Sequence, residues 1–303
     1  MKALPGDIGN ADLQFRTNDA GRAVVVVLAH NEERRIAACL SSLAGEGAAA
    51  IHVVVNGSTD RTAEIARETR LAAVHVYEEG GKARSWNRFV LDTLDPVPPV
   101  LVLMDGDAQV MPGSIAALAR CLERNAHANA AAGMPRNGRR AGRYRAEMRR
   151  GHGLFGDLYA LRGTFAERMR ASGIRLPDDL IGDDSLIGAL AKTDLGHEDD
   201  WSDARIAVCE DAGFLCEPTP LSASGMRGQA RRMSNYSLRR FQNRIVSDIM
   251  RGPGPAGLPR RLADLYPGYL NGFKPRRHPL WAWFDRQALA RMRSCVAALP
   301  MSR

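Results

Sequence analysis

Aromatic residues are scarce, only 6% of the 303. That argues against a protein that grips single-stranded nucleic acid by stacking bases on rows of rings. Cysteine is sparse too, and its number, five, is odd. No two cysteines are spaced Cys-x-x-Cys, so neither a disulfide framework nor a structural zinc site is expected. Long apolar runs are missing: the longest aliphatic stretch, Ala23 to Ala29, is far too short to span a bilayer. The opening MKALPGDIGNADLQF holds no apolar core of signal-peptide length. The expected location is the cytoplasm, with peripheral contact at the inner face of the membrane left open. Two familiar glycine motifs also fail. Gly151-His-Gly153-Leu-Phe-Gly156 matches G-x-G-x-x-G by letter, but it follows an arginine-rich stretch and no apolar strand. Gly81-Lys82 lacks the upstream Gly and the following Ser/Thr of a phosphate loop.

What is present is a regular alternation. Ala23 to Leu28 is a continuous β-branched run, the mark of a strand buried on both faces. Asn31 is placed to cap a helix carrying Ile36, Leu40 and Leu43. Ile51 to Val55 is a second strand, turned by Asn56-Gly57, after which Asp60 can cap a helix through Ile65. Ala72 to Tyr77 is a third strand, and Lys82 to Leu94 reads as a helix with Trp86, Phe89 and Val90 inward. Val100 to Met104 is a fourth strand, and Pro112 starts a helix with Ile115, Leu118 and Leu122 on one face. The order β-α-β-α-β-α-β-α predicts an α/β fold with a mostly parallel sheet flanked by helices.

Ligands of such sheets bind beyond the carboxyl ends of the strands. Four polar segments fall there: Ala29-His30-Asn31-Glu32, Asn56-Gly57-Ser58-Thr59-Asp60, Glu78 to Lys82, and Asp105-Gly106-Asp107. Asp105 and Asp107, two residues apart after VLVLM, can face one ligand. Two hard oxygen donors suit Mg²⁺ or Mn²⁺; a plain Asp-Gly turn is the simpler reading, and the three companion segments tip the balance toward a metal. Lys82, at a helix start, suits a diphosphate, or is a solvated surface lysine. Asn31 and Glu32 can hydrogen-bond a base or ribose, or serve only as a helix cap and first-turn acid; Asn56 and Asp60 carry the same choice. Together these groups describe a site for a metal-chelated nucleotide diphosphate.

The series VVVVLAHNEE, VVVNGSTDRTAEIA, GGKARSWN and VLMDGD resembles the nucleotide-sugar half of family 2 glycosyltransferases, whose fold is known as GT-A. The resemblance is strong over residues 23–110 and looser over 150–235. It implies that Asn31 and Glu32 lie near the nucleobase or ribose with Asn56 beside them, and that Lys82 lies near the base or diphosphate. It also implies that Asp105-Gly-Asp107 is the D-x-D metal motif, with Asp107 the more direct ligand. One departure is plain: many relatives carry paired aspartates where this chain has Val55-Asn56. An acidic contact to a uracil N–H is then missing or supplied elsewhere, and the donor nucleotide stays open.

The second half is less regular. A helix is expected from about Leu158 to Arg170, a strand over Ala204 to Cys209, and a long helix from Gln229 to Met250. Gly182-Asp183-Asp184 precedes the apolar helical run SLIGALAK. Inverting sugar transfer needs a general base for the acceptor hydroxyl, and an acid at a helix start fits; capping of the helix is the alternative. The resemblance assigns Asp184 as the base with Asp183 in support. Gln229-Ala-Arg-Arg232-Met233 resembles the Q-x-x-R-W motif of processive members, with Met in place of Trp. There Arg232 would offset charge on the leaving diphosphate. A basic helix start explains the same letters.

Lys and Arg number 42 against 34 acids, a net charge of +8, which favours an anionic partner. The surplus gathers at Arg136 to Arg150, with seven arginines and one acid, and at Arg227 to Arg240. Neither stretch interleaves aromatics at stacking spacing, so nucleic acid is disfavoured. An anionic acceptor, anionic lipid or plain solvation remains. Trp281, Trp283 and Phe284, near Arg277 and His278, either anchor at an interface or pack a C-terminal tail.

The expected organisation is an N-terminal lead (1–22), a nucleotide-sugar half (23–125), an acceptor half (126–250) and a helical C-terminal extension (251–303). The expected activity is metal-dependent, inverting transfer of a sugar from a nucleotide-diphosphate donor to a hydroxyl acceptor. The rivals are a sugar nucleotidyltransferase and an inactive GT-A-fold protein that binds glycan or phosphate.

Overall fold

The computed structural model describes residues 21–217 and 223–298, so the proposed N-terminal lead lies almost wholly outside the described residues. Among these residues eight strands form one sheet, in the order β3-β2-β1-β4-β7-β6-β8-β5. The first half reads β1 (Ala23–Ala29), α1 (Ile36–Leu43), β2 (Ala50–Asn56), α2 (Thr62–Glu68), β3 (Ala73–Tyr77), α3 (Lys82–Trp86), β4 (Val100–Asp105), β5 (Ala108–Val110) and α4 (Ser114–Arg124). The second half reads β6 (Ala130–Pro135), α5 (Ala141–Gly151), β7 (Tyr159–Arg162), α6 (Gly163–Ser172), α7 (Asp183–Lys192), β8 (Ile206–Cys216), α8 (Ala223–Arg251), α9 (Tyr266–Tyr269) and α10 (Pro279–Ala297).

Strands β3, β2, β1 and β4 pair in parallel, as the alternation predicts. Their side chains sort by parity, because neighbouring strand residues point to opposite faces. Val26, Leu28, Val54, Leu101 and Leu103 pack with Trp86 and Phe89 on one face. Val25, Val27, Val53, Val55, Val102 and Met104 pack with Ile36, Leu40, Ile115 and Leu118 on the other. These unbroken aliphatic runs are needed because both faces are covered. Helix α3 continues as a π-helical stretch, Asn87–Thr93, so the whole Lys82–Thr93 segment is helical and buries Trp86, Phe89 and Val90.

Beyond β4 the sheet is mixed: β7 runs antiparallel to β4 and β6, β6 pairs in parallel with β8, and β5 is antiparallel to β8. Two sequence expectations change here. The helix expected from Leu158 begins only at Gly163, because Tyr159–Arg162 is strand β7; its residues Tyr159, Ala160 and Leu161 are fully buried between β4 and β6. The strand expected over Ala204–Cys209 runs on to Cys216. Asn31 does not cap α1, which starts only at Ile36; its φ is +57° and it is spent on the neighbouring loop. The order of strands reverses between β2-β1 and β1-β4, and at such a switch point the carboxyl ends of the strands, here β1 and β4, flank the crevice in which sheets of this kind bind ligands.

The described residues after Gly252 fold onto α8. Gln242, fully buried in α8, accepts from the Ile181 amide (2.8 Å) and donates to the Asp179 carbonyl and the Tyr266 hydroxyl (both 2.9 Å). Asp179 accepts from the amides of Leu262 and Ala263 at 2.7 and 2.9 Å. The segment Leu262–Tyr266 thus fixes the loop that leads into α7. At the start of α10, Phe284 is buried and Trp281 lies under the Arg276 guanidinium, whereas Leu280 and Trp283 are exposed. Among the described residues no helix is long and apolar enough to cross a membrane.

Candidate functional site

The crevice is lined by the polar segments that end the strands. Asn56, at the end of β2, is 4% exposed and both ends of its amide are engaged: Nδ2 donates to the Ala29 carbonyl (3.0 Å) and Oδ1 accepts from the Gly81 amide (3.3 Å). Its carbonyl accepts from His30 Nδ1 at 2.7 Å. One residue therefore ties together β1, β2 and the start of α3. Asn31 Oδ1 accepts from the Thr59 amide (2.9 Å), and the Asn31 amide donates to Ser58 Oγ (2.9 Å). Asp60 accepts from the Thr62 amide and hydroxyl (3.0 and 2.5 Å) and from the Glu33 amide (3.1 Å). Burial raises its carboxyl, but these hydrogen bonds outweigh it and hold the group below its ordinary range. The N-cap of α2 is Arg61, not Asp60 as expected; Asp60 stands one residue earlier and binds the Thr62 amide and hydroxyl at the start of the helix.

Glu32 lies beside Asp107. Arg35 bridges its carboxylate (2.5 Å) to that of Asp107 (3.3 Å). Burial, then the charge of Asp107, push the Glu32 carboxyl up to about 7, against the pull of Arg35. Gly106 passes so close to β1 that a Cβ there would meet Ala29 Cβ at 2.9 Å and Ala29 Cα at 3.2 Å. That close approach keeps Asp105 and Asp107 on the crevice floor.

Lys82, the first residue of α3, projects into the middle of the acids. Its Nζ lies 2.6 Å from Asp105 Oδ1 and 3.3 Å from Asp183 Oδ1. Burial lowers the Lys82 ammonium, but Asp105, Asp183 and Asp184 outweigh it and hold it well above its usual value. Burial pushes Asp105 up to about 7; Lys82 pulls it down, and Asp157, Asp107 and Asp183 push it further up. Asp183 is buried, whereas Asp184 turns away to an ion pair with Arg239 at 2.9 Å. The structure thus brings Lys82, Asp105, Asp107 and Asp183 together, with Glu32 at one side and Asp184 at the other. Gln229 and Arg232 sit on the exposed early part of α8, where Arg232 Nε donates to Gln229 Oε1 at 3.2 Å.

Sequence reasoning missed Asp157. Carboxylate oxygens of Asp105, Asp107 and Asp157 all lie within 4.8 Å of one another. The cause is register: β4 and β7 are antiparallel with Leu103 opposite Tyr159, so Asp105, two residues after Leu103, comes beside Asp157 in the turn two residues before Tyr159. A segment read as helix hides that pairing. Gly156, set aside with the dinucleotide motif, also belongs here, since a Cβ on it would meet Lys82 Nζ at 2.8 Å and Asp105 Oδ2 at 3.3 Å. The Cys216 thiol donates to Asp157 Oδ1 at 3.1 Å; burial, then Asp157, push that thiol up. Burial followed by Asp107 raises Asp157.

The arginine-rich stretch on and before α5 is partly committed within the protein. Arg136 bonds the Glu210 carbonyl, Arg145 donates to the Pro135 carbonyl (2.9 Å), and Arg149 pairs with Glu210 (2.6 Å). Arg139, Arg140 and Arg150 are exposed.

Solved structures of similar architecture include the following two. A mannosyltransferase from Pyrobaculum calidifontis, in complex with GDP-Man and Mn²⁺, has a TM-score of 0.55 and 20% identity, covering 93% of this chain and 76% of that one. Glucosyl-3-phosphoglycerate synthase from Mycobacterium tuberculosis, in complex with Mn²⁺, UDP-Glc and phosphoglyceric acid, has a TM-score of 0.50 and 21% identity, covering 77% and 85%. At these identities the likeness establishes the GT-A fold. No curated protein matches the sequence significantly. The profile of glycosyl transferase family 2 matches residues 24–181, just over half of the chain. The chain is therefore a member of glycosyl transferase family 2.

Proposed function

We propose that the protein moves a sugar from a nucleotide-diphosphate donor to a hydroxyl acceptor, with inversion, in a metal-dependent reaction. The observation that carries the reading is the meeting of Lys82, Asp105, Asp107 and Asp183 at the crevice between β1 and β4. Residues 23–125 would form the nucleotide-sugar half, 126–250 the acceptor half and 251–303 the extension. Asp107 and Asp105 are fit to hold Mg²⁺ or Mn²⁺, with Asp157 beside them: three hard oxygen donors lie within 4.8 Å. Burial pushes Asp105 up to about 7, and Lys82 alone does not offset that rise. When bound, the cation would neutralise charge on the departing nucleoside diphosphate.

Lys82 would take the diphosphate, exchanging the Asp105 and Asp183 carboxylates for phosphate oxygens. Asn31 and Glu32 would line the base and ribose. Asn56 and Asp60 would act by holding the rim loops in place, since their polar atoms already bind backbone groups. Gln229 and Arg232 would approach the diphosphate from α8. Asp184 would take the acceptor proton while the acceptor oxygen attacks the anomeric carbon in line with the leaving diphosphate. A cytoplasmic location accords with five cysteines that remain free thiols; contact with the inner membrane face would use the exposed Leu280 and Trp283. A nucleotidyltransferase reading has no observation in its favour, because Ala29-His-Asn-Glu-Glu33 follows the first strand where a glycine-rich loop would stand.

The test is release of nucleoside diphosphate from a panel of nucleotide sugars, with and without Mn²⁺. One donor should be cleaved only with metal, and Asp107→Asn should abolish the effect. No metal-dependent binding or cleavage of any donor would refute the reading. With an acceptor in hand, near-normal transfer by Asp184→Asn would remove the base assignment.

A further inference from the structure

Asp183 and Asp184 stand side by side at the start of α7 and face different partners. Asp183 turns to Lys82. Asp184 Oδ1 is held 2.9 Å from Arg239 Nη2, and the same guanidinium donates to the Ser185 hydroxyl. Gly182 makes this possible: its φ is +89°, and a Cβ there would overlap Arg239 Nε and Cζ, so the guanidinium lies directly against the glycine.

Next to Ser185, α7 and α8 enclose a groove of about 290 Å³, lined among others by Ser185 and Leu186 from α7 and by Asn243, Val246 and Met250 from α8, with the exposed Trp201 at its side. Arg239, Asn243, Val246 and Met250 recur at intervals of four, three and four, which places them along one face of α8. The Glu198–Arg251 pair (2.9 Å) stands at the far end of that face. Arg239 therefore stands between the groove and the crevice.

On the glycosyltransferase reading, we propose that this groove seats the acceptor, and that the acceptor carries a phosphate or carboxylate beside its reacting hydroxyl, received by Arg239. Arg239 holds Asp184 until that anion arrives. The anion draws the guanidinium off Asp184 Oδ1, which frees a carboxylate lone pair for the acceptor hydroxyl. The hydroxyl proton passes to Asp184 as the new glycosidic C–O bond forms, and the electron pair of the broken sugar–phosphate bond leaves on the diphosphate. Without an acceptor the base stays occupied, so the donor is guarded from water. The groove is at the small end of the roughly 300–1,000 Å³ common for ligand sites, so a compact acceptor or the head of a larger one fits.

The experiment is calorimetry on the whole chain in two stages. The protein is first titrated with UDP and with GDP in the presence of Mn²⁺; absence of binding here counts against the glycosyltransferase reading alone. Inorganic phosphate is then titrated into the loaded protein, or into the bare protein if neither nucleotide binds. Arg239→Gln should weaken phosphate binding by about tenfold or more, and Arg239→Lys by less. Asp184→Asn removes the competitor for Arg239 and should tighten phosphate binding several-fold, an effect that a purely structural ion pair would not produce. Phosphate binding equal in wild type and Arg239→Gln, or no tighter in Asp184→Asn, overturns the proposal. Glycerol 3-phosphate and vesicles containing phosphatidic acid then separate a soluble source of the anion from a lipid one; failure of both also overturns it.

Discussion

On the proposed function, a proton and a divalent cation would compete for Asp105, and the structure sets the terms of that competition. The carboxyl is raised to about 7 by burial, with Lys82 opposing and Asp157, Asp107 and Asp183 adding to the rise. In an unfolded chain an aspartate titrates at about 3.9. Between those values the folded protein binds more protons than the unfolded one. The stability linked to this group is therefore complete below about pH 4 and is lost as pH climbs toward 7, with a ceiling of about 4 kcal/mol for three pH units. A cation must displace that proton, so its affinity is reduced by the protonated fraction. For a value of about 7 this makes binding about tenfold weaker at pH 6 than at pH 8. Calorimetric titration with Mn²⁺ at pH 6, 7 and 8, at constant ionic strength, should show this slope together with release of nearly one proton at pH 6. Glu32, also raised to about 7, contributes through Asp107, and Glu32→Gln apportions its share. An affinity that does not change with pH in the wild type, or a slope undiminished in Asp105→Asn, would refute the reasoning.

Lys82→Met leaves Asp105 and Asp183 without their cation; donor turnover should fall by about 10² or more, while Mn²⁺ binds no more weakly than in the wild type at pH 8, as direct titration would show. Gly106→Ala forces a methyl group against Ala29 Cβ and Cα and should cost about 1–3 kcal/mol in denaturant unfolding; full stability would show that β1 yields there. Gln242→Leu strands the Ile181 amide, the Asp179 carbonyl and the Tyr266 hydroxyl. A loss of about 1–3 kcal/mol is expected, with weaker acceptor binding if the α7 loop loosens; an unchanged melting transition would show that water replaces the side chain.

The first half of the fold was legible because its strands are buried on both faces, so their valine-rich patterning needs no long-range information beyond the alternation itself: Ala23–Ala29 and Val100–Asp105 announce themselves. The second half was harder. Tyr159–Arg162 is only four residues long and runs directly into α6, so its apolar letters fit a helix as well as a strand. With that strand hidden, Asp157 had no visible route to Asp105. Lys82, Asp105 and Asp107 could be found because each sits at the end of a readable element. The ion pair between Asp184 and Arg239 joins two helices far apart in the chain, and no local pattern carries it.

On the proposed function, the Asn56 side chain would limit how this enzyme could change its donor. Its amide donates to one strand end and accepts from the α3 start, a pair of duties that only a group with both polarities can fill. An aspartate at this position would set a carboxylate against the Ala29 carbonyl, and the rim would have to part before the acid could reach a base. A swap toward the paired aspartates of many relatives would therefore reach beyond nucleobase preference to the helix that carries Lys82. On the proposed function, donor specificity would then be inherited as a block, and a path to another nucleotide would have to rebuild the β1 and α3 ends together.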